Sequence, residues 1–140
     1  MQLDLSNPKD ARVDERLRNE PIIWLGTVRP DGRPHLVPVW FFWDGETITI
    51  YSQPNNQKLR NLQHNTNVTL ALNTGDDGDD VVIVEGKAEL LGKSTQTMNI
   101  PAYVEKYGTL MKDMNSNPEE LAASYSEVIR VTPTRFINWS

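Results

Sequence analysis

Two Asp-Gly pairs, Asp31-Gly32 and Asp44-Gly45, separate three runs rich in β-branched and aromatic residues: "IIWLGTV" (22–28), "HLVPVWFFW" (35–43) and "TITIYS" (47–52). Asp-Gly in such a setting is a tight-turn signal, because glycine accepts positive φ at no steric cost and the aspartate side chain bonds the nearby backbone. The pattern predicts three consecutive strands in an antiparallel meander, with Ile48 and Ile50 on one face of the third. Pro38 lies inside the second run and cannot donate a ladder hydrogen bond. It marks an edge, a bulge or a place where the backbone faces a ligand.

The flanking segments read as follows. Asn7 caps a short helix, Pro8 takes its first position, and Ala11, Val13 and Leu17 give it an apolar side before Pro21 ends it. After "QPNN", residues 57–65 predict a second short helix with Leu59 and Leu62 three apart. "VTLALN" (68–73) and "VVIVEGKAELL" (81–91) predict two more strands, with Gly86 at a bulge. In "QTMNIPAYVEKYGTLMKDM" (96–114), Ala102, Tyr103, Val104, Tyr107 and Leu110 can line one side of a helix, and "NPEELAASYS" repeats the Asn-Pro start. "EVIRVTPTRFINW" (127–139) predicts one or two strands, interrupted at Pro133. Five or more short strands with peripheral helices predict one mainly β domain over 1–140, a small antiparallel barrel whose closure removes exposed edges.

Composition narrows the function. The 140 residues carry 14 Lys and Arg against 19 Asp and Glu, a net charge of −5, whereas a nucleic-acid backbone calls for a basic surplus. With no cysteine there is no disulfide framework, thiolate zinc site or cysteine nucleophile. No stretch approaches the roughly 18 apolar residues that span a bilayer, and the charged first 20 residues lack the apolar core of a secretory signal. The expectation is a cytoplasmic protein with no membrane and no nucleic-acid partner. His35 and His64 have no third ligand at a recognisable spacing, and "GDDGDD" fails the calcium-loop register because Gly78 stands at the third position. No metal site is expected, and no catalytic residue can be named.

One constellation remains. Lys58 falls in the first turn of the second helix, where free N–H groups and the helix dipole favour an anion. Ser52, Asn55 and Asn56 precede it with hydroxyl and amide donors, and Arg60 and Asn61 follow within a turn. Either this is a solvated Lys-x-Arg face or it is a seat for a phosphate. Trp139 is likewise open between packing and contact with a ring-shaped ligand.

The run from "IIWLGTVRPDGRPHLVPVW" through "KLRNL" to "VVIVEGKAELL", together with "RVTPTRFINW", resembles the pyridoxamine 5′-phosphate oxidase-like, FMN-binding split β-barrels. It is most similar to their small bacterial branch of enzymes that use the deazaflavin coenzyme F420. The resemblance covers residues 20–91 and the end of the chain, and matches poorly over 92–126. It implies a split antiparallel β-barrel and an oxidoreductase that passes hydride between its cofactor and an unsaturated or quinone-like small molecule. FMN is the alternative cofactor, and a non-catalytic flavin carrier the alternative role. Position by position it implies that Leu36, Val37, Pro38, Val39 and Trp40 line the ring. Tyr51 and Ser52 meet the tail, and Lys58 is the main phosphate cation, flanked by Gln57, Arg60 and Asn61. Gln57 stands where the FMN oxidases have an arginine. The resemblance also implies a homodimer with the cofactor at the subunit interface, Arg135 and Trp139 reaching it from the partner.

Overall fold

The computed structural model of the chain describes residues 2–93 and 101–140. Helix α1 (Pro8–Asn19) starts as expected: the Asn7 side chain accepts from the Lys9 N–H at 2.9 Å, and Val13 and Leu17 are buried. Strands β1 (Ile23–Val28), β2 (Pro34–Val39), β3 (Phe42–Trp43) and β4 (Ile48–Ser52) follow, then helix α2 (Gln57–Leu62) and strands β5 (Asn67–Leu72) and β6 (Val81–Lys93). Helices α3 (Pro101–Asp113) and α4 (Pro118–Ser124) precede the last strand, β7 (Glu127–Trp139). The seven strands form one antiparallel sheet in the order β2-β1-β5-β6-β7-β4-β3. Alternate residues of nearly all of them (Leu25, Leu70, Val84, Ile129, Ile50 and Trp43 among these) meet Val13 and Leu17 of α1 in a single buried cluster. A sheet whose two halves share one core is curled into a barrel, here a split antiparallel one of mainly β class.

The meander expectation is corrected. The 35–43 run is broken at Trp40–Phe41: β2 pairs with β1, whereas β3 pairs with β4 at the opposite end of the sheet. Two physical causes act together. Pro38 offers no N–H along β2, and the Phe41 N–H leaves the ladder to donate to the Tyr107 hydroxyl at 2.9 Å. Pro38 is thus on an edge strand, as one of its readings required.

Pro133 does not interrupt β7, which is continuous over thirteen residues. One of the two irregularities in its pairing with β6 falls at Glu85/Gly86, where Glu85 faces Arg135 and Gly86 faces Pro133, so the extra residue there is Thr134 on β7. The buried stripe of α3 is Tyr103, Tyr107 and Met111 at i, i+4, i+8, while Leu110 is exposed. The part of that helical pattern before Pro101 lies outside the described residues. Helices α3 and α4 cover the side of β4 and β7 turned away from the main core, where Tyr51 and Val128 join their second cluster.

Candidate cofactor-binding site

The last residues of β2, Pro38 and Val39, and Trp40 in the break after it, form one wall of a cavity of about 360 Å³. Such a volume lies within the range of small-molecule sites, about 300–1,000 Å³. Tyr51 of β4 and Lys58 of α2 line it with Gln53 and Asn56 from the connection between them, and Tyr103, Met114, Leu121 and Tyr125 of the α3–α4 region close the far side. Asn55 adopts a left-handed conformation (φ 65°) that asparagine tolerates. That turn swings the chain from β4 into α2 and delivers Lys58 to the cavity.

Lys58 is the unusual member. Its side chain is buried, and among the described residues its ammonium has neither a hydrogen-bond nor an ion-pair partner. Burial pulls its pKa below the ordinary lysine value. A desolvated cation without a counterion is costly, and an anion entering the cavity removes that cost. Because α2 has only six residues, its dipole is small and the lysine carries the attraction.

The neighbouring polar groups are mostly engaged. The Asn61 amide, fully buried, donates to Thr27 Oγ1 at 2.9 Å and accepts from Gln57 Nε2 at 2.7 Å, which pins α2 to β1. Arg60 donates to the Asn55 carbonyl and to Gln57 Oε1, bracing the turn. Ser52 Oγ donates to the Gln53 carbonyl at 2.8 Å. Val37 is half-buried, and Leu36 is 62% exposed on the other face of β2. Of the residues expected at the site, the fold brings Pro38, Val39, Trp40, Tyr51 and Lys58 to one cavity. Leu36, Val37, Ser52, Gln57, Arg60 and Asn61 are not among its lining residues. Arg135 and Trp139 lie on β7, and Trp139 borders a separate hollow beside α1.

The sequence offers His35 only as a candidate metal ligand, and the fold gives it a different character. It stands across from Thr27 on β1. Its Nδ1 is buried without a partner among the described residues, and burial, then Arg29 and Lys58, push its pKa down. A neutral imidazole beside two cations leaves an unspent polar atom at the Lys58 end. The tyrosine wall was also missed, because the 92–126 segment matched the resemblance poorly. Burial pushes the Tyr103 and Tyr107 phenols well above the ordinary tyrosine range, so both stay neutral.

Lys106 of α3 packs behind that wall, its Nζ 3.0 Å from the Phe41 carbonyl, and burial lowers its pKa to about 8 despite the opposing pull of Glu20. The unfolded chain therefore holds this proton more tightly, and stability should rise with pH from about 8 toward the ordinary lysine value. Denaturant titrations between pH 7 and 9.5 should show that rise in the wild type and a flatter profile in Lys106→Met. Equal slopes would remove Lys106 as its source.

The sequence matches the family model described as pyridoxamine 5′-phosphate oxidase over residues 10–140. The chain belongs to the pyridoxamine 5′-phosphate oxidase family. Members of this family are flavin-related oxidoreductases, and its proteins are commonly dimers. Solved structures agree with the assignment. A protein named F420 reductase is 25% identical with a TM-score of 0.71, the match covering 89% of this chain and 94% of that one. The conserved hypothetical protein Rv2991 from Mycobacterium tuberculosis is 25% identical with a TM-score of 0.73, over 93% and 83% of the two chains. General Stress Protein 26 from Bacillus anthracis shares the fold at 20% identity and a TM-score of 0.66, over 91% and 94%. No curated protein matches the sequence. Lys58, without a hydrogen-bond or ion-pair partner among the described residues, lines the aromatic cavity of this family member.

Proposed function

We propose that this chain is an oxidoreductase using the deazaflavin coenzyme F420 to deliver hydride to an unsaturated or quinone-like small molecule. The observation that carries the reading is Lys58, its side chain largely buried and its ammonium partnerless among the described residues, at the edge of an aromatic cavity. The cofactor supplies the hydride chemistry, and the protein supplies binding, orientation and exclusion of water. Lys58 holds the phosphate, Pro38, Val39 and Trp40 line the ring, and Tyr51 and Ser52 adjoin the tail. Lys58 is the one charged side chain among the described lining residues, which favours a neutral, flat acceptor.

FMN is the second reading, and Gln57 weighs against it. Its amide is already bonded to Asn61 and Arg60, so it does not replace a guanidinium at the phosphate. A phosphodiester with one charge, as in the deazaflavin, is served by one cation, and the monoester of FMN calls for more.

The partner we propose is a second copy of this chain. Trp24, Ala71, Ile83 and Ile137 lie in register across the outer face of β1, β5, β6 and β7, with Leu36 beside them on β2. Trp24, Leu36 and Trp139 remain at least one-third exposed, an apolar face that a second subunit would cover. Arg135 and Trp139 share the face of Ile137, so pairing there would carry them toward the partner's cofactor. Sedimentation of the wild type should show a dimer and Leu36→Glu a monomer; a monomeric wild type refutes this arrangement. No helix among the described residues is long and apolar enough to cross a membrane.

The function is tested by titrating the apo-protein with each cofactor while following tryptophan fluorescence. Tight deazaflavin and weak FMN binding support the proposal, and the reverse assigns FMN. Binding of neither refutes a cofactor site. Binding without oxidation of the reduced cofactor by any quinone makes the chain a carrier.

A further inference from the structure

Phe41 is fully buried, and α3 holds it at three points. Its N–H donates to the Tyr107 hydroxyl at 2.9 Å, its carbonyl accepts from Lys106 Nζ at 3.0 Å, and the same ammonium lies 3.7 Å from the centroid of its ring. The Tyr107 hydroxyl in turn donates to the Pro21 carbonyl at 2.7 Å. One phenol therefore ties the segment entering β1 to the segment leaving β2. Its ring runs parallel to the Trp40 indole, with 4.5 Å between centroids and 7° between planes.

A buried backbone N–H that leaves a ladder needs another acceptor. Here that acceptor is a side chain 66 residues further along the chain. Tyr107 itself does not line the cavity, whereas Trp40 does. Whatever Tyr107 contributes to a ligand must pass through the path of residues 40 and 41.

We propose that Tyr107, seconded by Lys106, is a positioning residue for a ring-shaped ligand: it fixes the strand break so that Trp40 and the end of β2 face the cavity. This inference rests on the reading of the cavity as the ring site of a phosphate-bearing cofactor. It divides that site into two ends with separate supports, Lys58 for the phosphate and Tyr107 for the ring.

The two ends can be probed separately. Riboflavin and 5-deazariboflavin carry a ring and no phosphate, and pyrophosphate carries charge and no ring. Tyr107→Phe keeps the stack on Trp40 and removes both hydrogen bonds. It should weaken the two ring probes roughly tenfold, the order expected when a buried N–H and a carbonyl lose their partner, and leave pyrophosphate unchanged. The Trp40 contribution to the near-ultraviolet circular dichroism, taken as the difference from Trp40→Phe, should change as well. Lys58→Met should give the converse, with pyrophosphate lost and the rings retained. If Tyr107→Phe does not fold, Lys106→Met is the second variant, with the same expected split. Equal loss of both probes, in step with a lower melting temperature, would make the contact merely structural and overturn the proposal. So would unchanged ring affinity. If Lys58→Met behaves as stated and Tyr107→Phe does not, the positioning role alone fails. If the wild type binds neither kind of probe, the cofactor reading fails and takes this inference with it.

Discussion

Lys58→Met should weaken binding of the phosphate-bearing cofactor by about 1–3 kcal/mol, roughly five- to 150-fold, while leaving the protein at least as stable as the wild type. The loss is that of a charge-assisted hydrogen bond in a partly desolvated site. The stability half of the result discriminates further. The Lys58 ammonium has no partner among the described residues and is partly desolvated, which costs folding energy, and methionine keeps most of the stem packing without the charge. A structural lysine paired with a carboxylate would behave in the opposite way. Because burial lowers the Lys58 pKa, cofactor affinity should also fall as pH rises through that lowered value, and Lys58→Arg should resist the fall. The checks are a cofactor titration at neutral and alkaline pH and a melting curve of each variant. Unchanged affinity in Lys58→Met would refute the phosphate seat. Unchanged affinity together with a lower melting temperature would return Lys58 to a packing role.

Gly86→Val should be strongly destabilising although it lies away from the site. A Cβ at this position would stand 2.7 Å from the Thr132 carbonyl oxygen and 2.9 Å from Val131 Cγ1. The first neighbour is backbone, and it belongs to the strand paired with β6 at its bulge. It cannot swing aside as a flexible side chain would. Overpacking costs roughly 1–3 kcal/mol in ordinary cores and more where the backbone is the obstacle. A loss of about 3 kcal/mol would lower the melting temperature by roughly 10 °C in a domain of this size. Gly86→Ala should show a milder form of the same effect. A Gly86→Val protein that melts with the wild type would mean that β6 and β7 pair differently around Thr134.

Both predictions bear on what could be read from residues alone. Gly86 was expected at a bulge and does adjoin an irregularity, but the extra residue there is Thr134, on the other strand. A lone glycine in a strand signals a close approach without saying which neighbour approaches. Lys58 stands in the first turn of α2, as the sequence implies, because that setting is local: the end of β4, a turn through Asn55 and the first turn of α2 lie within ten residues. Its isolation from any counterion was not legible, since that depends on which residues surround it in space.

By itself the sequence determined the turns at Asp31-Gly32 and Asp44-Gly45, the Asn7-capped α1, the alternation of β4 and the short α2 that carries Lys58. Each depends on backbone preference and apolar period over a few neighbouring positions. Only the tertiary structure decided that the 35–43 run is two strands at opposite ends of the sheet. Nothing near Phe41 in the chain announces that its N–H belongs to Tyr107. The α3–α4 wall and the orphaned His35 nitrogen arose in the same way, from segments far apart in the chain that meet when the sheet closes. Strand pairing and cavity lining are non-local, and local periodicity constrains which face a residue takes without naming the partner it will find there.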